Sequence, residues 1–222
     1  MSAPRWRPEA GPGTGAARGG RPRGERGPGG PPRLPGDTVR AFLAIFPPAE
    51  VEAALAQYVA SLRGELREVS WVKPGNLHLT LRFLGDMESA LVGAAGAAAD
   101  AAVRGRPAFD VSLKEVGLFP NAQRPRVVWL GVDVGREPLV ELAGALEQEL
   151  VGAGLGQADK PFAAHLTLGR VRDYLPPAAL PRLFERHPCP GFAFRAAAVQ
   201  LMRSQLDPGG SIYTVLHSAA LA

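Results

Sequence analysis

The tetrapeptide His-Leu-Thr-Leu occurs twice in this chain, at 78–81 and at 165–168, 87 residues apart. The repeat is built from scarce material, since the chain holds four His and five Thr and the two copies use two of each. With one His followed by Leu-Thr-Leu, composition makes a second match roughly a one-in-a-thousand accident. On an extended strand, side chains alternate between the two faces. His78 and Thr80 then point one way, and Leu77, Leu79 and Leu81 the other. His165 and Thr167 divide from Leu166 and Leu168 in the same way. Each copy reads as a strand that buries leucines and presents an imidazole beside a hydroxyl. Two such strands predict a chain of two similar halves, their polar faces turned to one cleft.

The segments around the motifs fit that expectation. Val39–Phe46 reads as an apolar strand, closed by Pro47-Pro48. Val51, Leu55, Tyr58, Val59 and Leu62 then recur at helical spacing between Ala49 and Arg63. Val69–Val72 is a short strand, Lys73–Asn76 a turn, and Leu77–Leu84 a strand again. Asp86 is placed to cap an alanine-rich helix running to about Arg104. Strands follow at Phe109–Val116 and Arg126–Val132, then a helix with Leu139, Leu142, Leu146 and Leu150 on one stripe. A strand at His165–Val171, a weak helix near Leu180–Arg186, and strands near Phe192–Arg203 and Ile212–His217 complete the chain. Several strands succeed one another with no helix between them. That order argues against a doubly wound parallel sheet and for an α+β fold of two halves, each with its own mainly antiparallel sheet.

Composition separates the ends of the chain. Residues 1–37 hold ten Gly, eight Pro and seven Arg and almost no large apolar side chains. Such a segment cannot bury enough surface to offset its ordering entropy, so it is expected to be a disordered tail ahead of one domain over 38–222. The tail also carries the basic excess. Removing its seven Arg and its three acidic residues from totals of 25 and 21 leaves 18 of each, so the body is formally neutral. An Arg-Gly-Pro tail suits loose phosphate contact, but disordered extensions of this kind are often without a role. Cys189 is the only cysteine, which excludes an internal disulfide and fits a reducing cytoplasm. No run approaches the roughly 18–20 apolar residues that cross a bilayer. A monomer with no membrane association is expected.

Two imidazoles and two hydroxyls around one cleft suit the opening of a cyclic phosphodiester. The reaction needs a base for the attacking water and an acid for the departing ribose oxygen, and imidazole performs either near neutral pH. The hydroxyls of Thr80 and Thr167 can donate to the non-bridging phosphate oxygens, where charge is held in the transition state. Zinc is the competing use of paired histidines. Neither motif has a carboxylate or Cys at ligand spacing, and Cys189 and His187 stand apart, so no metal and no cofactor are expected. His187 and His217 read as surface or core residues. A binding module with an inert cleft would have no need of two titratable rings.

The duplicated motif resembles that of the 2H phosphoesterase superfamily. The flanking residues are similar to its RNA 2′,3′-cyclic phosphodiesterases, once called 2′-5′ RNA ligases. They include Phe42-Leu-Ala-Ile45, Trp71-Val-Lys-Pro74, Phe83-Leu-Gly85, Gly117-Leu-Phe-Pro120 and Tyr213-Thr-Val-Leu216. The likeness runs from about Arg40 to Leu216 and leaves out the tail. It implies a bilobal α+β fold with pseudo-twofold symmetry, and RNA ends bearing a 2′,3′-cyclic phosphate as substrate. It also implies His78 as proton donor to the leaving 3′ oxygen, His165 as the base for water, and a 2′-phosphate product. Ligation to a 2′-5′ linkage, or a different cyclic or 2′-5′ diester, would use the same site. Arg170 matches an arginine placed near the nucleobase or phosphate, although plain alternation from His165 puts it on the wrong face unless Gly169 bends the strand. Phe42 matches a base-stacking platform. One departure is Ala164, where relatives carry Pro before the second motif. It bears no reacting group, and a small effect is expected.

Overall fold

The computed structural model describes residues 38–208 and 210–222, so the expectations for the tail lie outside the described residues. The first apolar run forms β1 (Thr38–Ile45). Proline has no N–H for a ladder, and the Pro47-Pro48 pair stops the strand. Pro48 then serves as N-cap of α1 (Ala49–Arg63), with Glu50 and Glu52 in the first turn where the helix dipole favours negative charge. The chain continues through β2 (Val69–Trp71), β3 (Leu79–Glu88), α2 (Val92–Val103), β4 (Phe109–Phe119) and β5 (Val127–Val134). It ends with α3 (Arg136–Gly152), β6 (His165–Val171), α4 (Ala179–Arg186), β7 (Phe192–Ala196), β8 (Ala198–Asp207) and β9 (Gly210–Ala220).

Every strand pairing among the described residues is antiparallel, and the order is β7-β4-β5-β6-β3-β1-β8-β9, with β2 added beside β6. Two halves are visible in that order. β7-β4-β5-β6 makes one and β3-β1-β8-β9 the other, and the two motif strands meet where they join. A single paired position, Leu79 with Leu166, links them, so the two expected sheets are continuous through one contact between the motifs themselves. The leucine faces form the core: Leu79, Leu81, Leu166 and Leu168 are at most 5% exposed and share one cluster with Leu55 and Leu62 of α1 and Leu142 and Leu146 of α3. α2 is almost entirely Ala and Gly, which lets it lie close against β8, β9 and α3. At Gly96 a Cβ would stand 3.1 Å from the His217 ring, so the bare backbone there is what admits β9.

Three boundaries differ from the sequence reading. Asp86 does not cap α2; it stays in β3, opposite Arg40, with which it forms an ion pair at 3.6 Å. The strand therefore runs on to Glu88, and a 3-10 turn at Ser89–Leu91 starts the helix instead. The strand expected at 192–203 is two strands, because β7 pairs with β4 in one half while β8 pairs with β1 in the other. The first motif strand opens at Leu79, leaving His78 at its threshold.

Candidate active site

Each motif strand contains one extra residue immediately after its threonine. In β3, Ala44 faces Thr80 and Leu43 faces Arg82, which leaves Leu81 unmatched. In β6, Trp129 faces Thr167 and Val128 faces Gly169, which leaves Leu168 unmatched. A bulge of this kind reverses the alternation beyond it and re-aims the next side chain. The leucine and the residue after it both turn to the core, as the burial of Leu168 and Gly169 shows, and the following residue returns to the outer face. Arg170 is therefore exposed on the side of His165 and Thr167, opposite Val127 of β5 and Ser70 of β2. Phe83 occupies the same place in the first motif and is 46% exposed, with the Arg40 guanidinium 4.8 Å from its ring centroid. Gly169 is needed at the bend. A Cβ there would lie 2.8 Å from a Val69 methyl and 3.0 Å from the Trp71 ring, both packed beneath it.

The two imidazoles are held alike. His78 Nδ1–H donates to the Asn76 carbonyl at 2.8 Å, and His165 Nδ1–H to the Ala163 carbonyl at 2.7 Å, each two residues upstream. A carbonyl only accepts, so in both rings Nδ1 carries the proton and Nε2 is the nitrogen left for chemistry. The turn before His78 is fixed from two directions. The Gly75 N–H donates to the Glu52 carboxylate of α1, and the Asn76 side-chain amide donates to the Ser211 carbonyl at 2.8 Å.

Both rings stand in aromatic surroundings. His78 stacks on Phe42 at 4.8 Å between centroids, with Phe46 at 5.1 Å and Tyr213 edge-on at 5.5 Å. His165 meets Phe119 edge-on at 5.2 Å and Trp129 at 6.3 Å, and those two stack on one another. Such walls favour neutral imidazole. Burial pushes His78 down to about 4; the Asn76 carbonyl opposes the change, and the charges of His165 and Arg170 add to it. His165 is also lowered, first by burial and then by Arg170, against the Ala163 carbonyl. Arg170 thus acts electrostatically on both rings.

The structure brings His78, Thr80, His165, Thr167 and Arg170 to one side of the joined motif strands. Among the described residues neither threonine hydroxyl has a hydrogen-bond partner, which leaves both free to donate to a bound anion. Phe42 is on the same side but only 3% exposed. Its ring is covered by His78 and Tyr213, so it supports the imidazole and has no open face for a base. His187 and His217 lie elsewhere, paired with Glu65 and with Asp100 respectively. Sequence reasoning does not single out Phe46, Tyr213, Phe119 or Trp129 as site residues, since aromatics on strands read as core. Gly117, where a Cβ would fall 2.1 Å from the Trp129 ring, is the one sequence hint of an aromatic lying across its neighbour strand. Among the described residues no three His, Cys, Asp or Glu side chains cluster as a metal site.

Comparison with known proteins gives consistent relatives. The family model described as LigT like Phosphoesterase matches twice in succession, over residues 45–129 and 130–213, one match for each motif. A protein of Methanothermobacter thermautotrophicus named RNA 2′,3′-cyclic phosphodiesterase is 34% identical over 181 residues, covering 79% of this chain and 95% of the relative. A crystal structure from Thermus thermophilus superposes with a TM-score of 0.67 at 31% identity, covering 82% of this chain and 97% of its own. The structure of E. coli LigT complexed with 3′-AMP gives 0.65 at 29% identity, covering 83% and 99%.

Proposed function

The chain belongs to the LigT-like phosphoesterase family, and from that premise we propose that it hydrolyses RNA 2′,3′-cyclic phosphate ends to 2′-phosphates by two-histidine acid–base catalysis. The observation that carries the reading is the matched pair of Nδ1–H to carbonyl bonds. They leave an Nε2 from each half of the fold as the reactive nitrogen, on the side that also carries Thr80, Thr167 and Arg170. A relative complexed with 3′-AMP, a nucleoside carrying a ribose phosphate, supports the substrate class.

In this reading His165 Nε2 takes a proton from water as the water oxygen bonds to phosphorus. The P–O3′ bond breaks, and His78 Nε2–H delivers its proton to O3′, leaving a 2′-phosphate and a 3′-hydroxyl. Thr80, Thr167 and Arg170 hold the non-bridging oxygens. Relief of strain in the five-membered ring lowers the demand on the leaving group, so the pair of imidazoles suffices without a metal. Free imidazoles biased to the neutral form suit the base directly. The acid must be charged when substrate arrives, and the phosphate anion itself supplies the opposite charge that raises its pKa.

The test is product identity. A short RNA ending in a 2′,3′-cyclic phosphate, incubated with the protein in EDTA, is expected to give only the 2′-phosphate, read by phosphorus NMR. A 3′-phosphate product would overturn the assignment of O3′ as leaving group, and dependence on added divalent metal would overturn the two-histidine reading.

A further inference from the structure

Beside β2, outside the motif pair, lies a cavity of about 380 Å³ lined by Arg63, Arg67, Lys73 and Arg172 together with Ser70 and Trp71. No carboxylate lines it, and among the described residues none of the four cations forms an ion pair. Arg67, Lys73 and Arg172 are exposed. Four unneutralised charges here are not a by-product of a basic protein, because the body from residue 38 onward carries equal numbers of basic and acidic side chains. Like charges gathered without partners repel, and a polyanion is the ligand that relieves the repulsion.

The cavity adjoins the strand that carries the second motif, because Val69, Ser70 and Trp71 of its lining belong to β2, which pairs with β6. Ser70, on its wall, is the register partner of Arg170, and directly opposed residues of an antiparallel pair share a face. Arg170 stands on the face of His165 and Thr167, and Ser70, one strand spacing, ~4.8 Å, farther out, joins that face to the cavity wall. Lys73 closes the other side. Its side chain lies against Gly210 at the start of β9, and it opens the turn that leads into Leu77 and His78. Ser70 and Lys73 thus place the cations beside the two strands that present the histidines, on the path a nucleotide chain would take if its cyclic end lay between them.

We propose that this cavity binds the backbone phosphates of the RNA strand on the 5′ side of the terminal nucleotide, so that it selects RNA ends over cyclic mononucleotides. The inference rests on the phosphodiesterase reading above. The test compares 2′,3′-cyclic AMP, which has no upstream phosphate, with a dinucleotide and a tetranucleotide ending in a 2′,3′-cyclic phosphate. Wild type is expected to show kcat/KM about tenfold higher on the oligonucleotides, with a preference that shrinks as salt rises, by a slope of ~0.7 per phosphate engaged. Arg67→Glu with Arg172→Glu is expected to abolish the length preference and flatten the salt dependence while leaving cyclic AMP turnover unchanged. Arg67→Ala with Arg172→Ala should show the same pattern more weakly. Equal loss on all three substrates, or no length preference in wild type, overturns the proposal. Inhibition of tetranucleotide turnover by poly-glutamate as strongly as by a non-cyclic RNA of equal charge would assign the cavity to acidic peptide instead. Turnover of none of the substrates by folded wild type would be a failure of the phosphodiesterase reading, and is distinguishable on that ground.

Discussion

A histidine walled by Phe42, Phe46 and Tyr213 loses the water that would stabilise its charge, and this sets the pH behaviour of the site. The proposed mechanism needs one imidazole charged and one neutral. In the free protein both are biased to the neutral form, His78 to about 4 and His165 in the same direction. The productive singly protonated state therefore declines as pH rises past the lowered pKa values. Since kcat/KM reports free-enzyme groups, it is expected to fall nearly tenfold per pH unit on the alkaline side, with a limb below the ordinary histidine value. The limb of kcat reports the complex and is expected at higher pH, because the bound phosphate stabilises imidazolium. Profiles on a cyclic mononucleotide check the sign, and a kcat limb at lower pH than that of kcat/KM would contradict it. Thr80 and Thr167 are half-buried and their hydroxyls have no partner among the described residues. Thr80→Ala or Thr167→Ala is expected to lower kcat about 10²-fold, the cost of one donor to a developing charge, with unfolding unchanged.

At the scale of elements, the bulge after each threonine does the positioning that simple alternation cannot. The strand character of both motifs, their leucine-in and histidine-out division, and the helices at 49–63 and around Leu139–Leu150 are legible in the sequence, because each rests on local periodicity. The bulges are not, since Leu81 and Leu168 look like any other core leucine and the extra residue exists only in the pairing with β1 and β5. Gly169 is the one trace of it. The aromatic walls stay hidden for a related reason: Tyr213 and Phe46 approach His78 from strands and turns distant in sequence, and a strand aromatic gives no sign of which face it serves. The capping role expected of Asp86 fails because a cross-strand partner, Arg40, competes for it. Gly169→Ala tests the bulge directly. Its Cβ would crowd Val69 and Trp71, costing about 1–3 kcal/mol and lowering Tm by several degrees, and Val69→Ala in the same chain should restore part of the loss. A variant as stable as wild type would show that the bend is not under that constraint.

For the molecule as a whole, duplication explains why the two histidines proposed as acid and base are held alike, each by a carbonyl two residues upstream. Two successive matches to one family model, two motifs 87 residues apart and two four-strand groups meeting at Leu79 and Leu166 describe the same symmetry. The halves are also interlocked. α3 follows β5 in the second half yet packs on β3 of the first, where Glu147 pairs with Arg82 at 2.6 Å. Arg82 is 9% exposed and also donates to the Phe83 and Gly156 carbonyls. Glu147→Ala would leave that guanidinium short of its counter-charge, at a cost of about 2 kcal/mol for a pair that is only partly buried. Urea unfolding should show a lower midpoint with the same slope, and an unchanged midpoint would mean the pair does not staple the halves. The central claim is that one histidine from each half acts with the other as a unit. The most direct test is single-turnover cleavage of a 2′,3′-cyclic-phosphate RNA by wild type, His78→Ala, His165→Ala and the double variant, with folding checked by circular dichroism. Each single variant is expected to lose essentially all turnover and the double to lose little more, the non-additivity of groups that work together. Near-wild-type turnover in either single variant would contradict it.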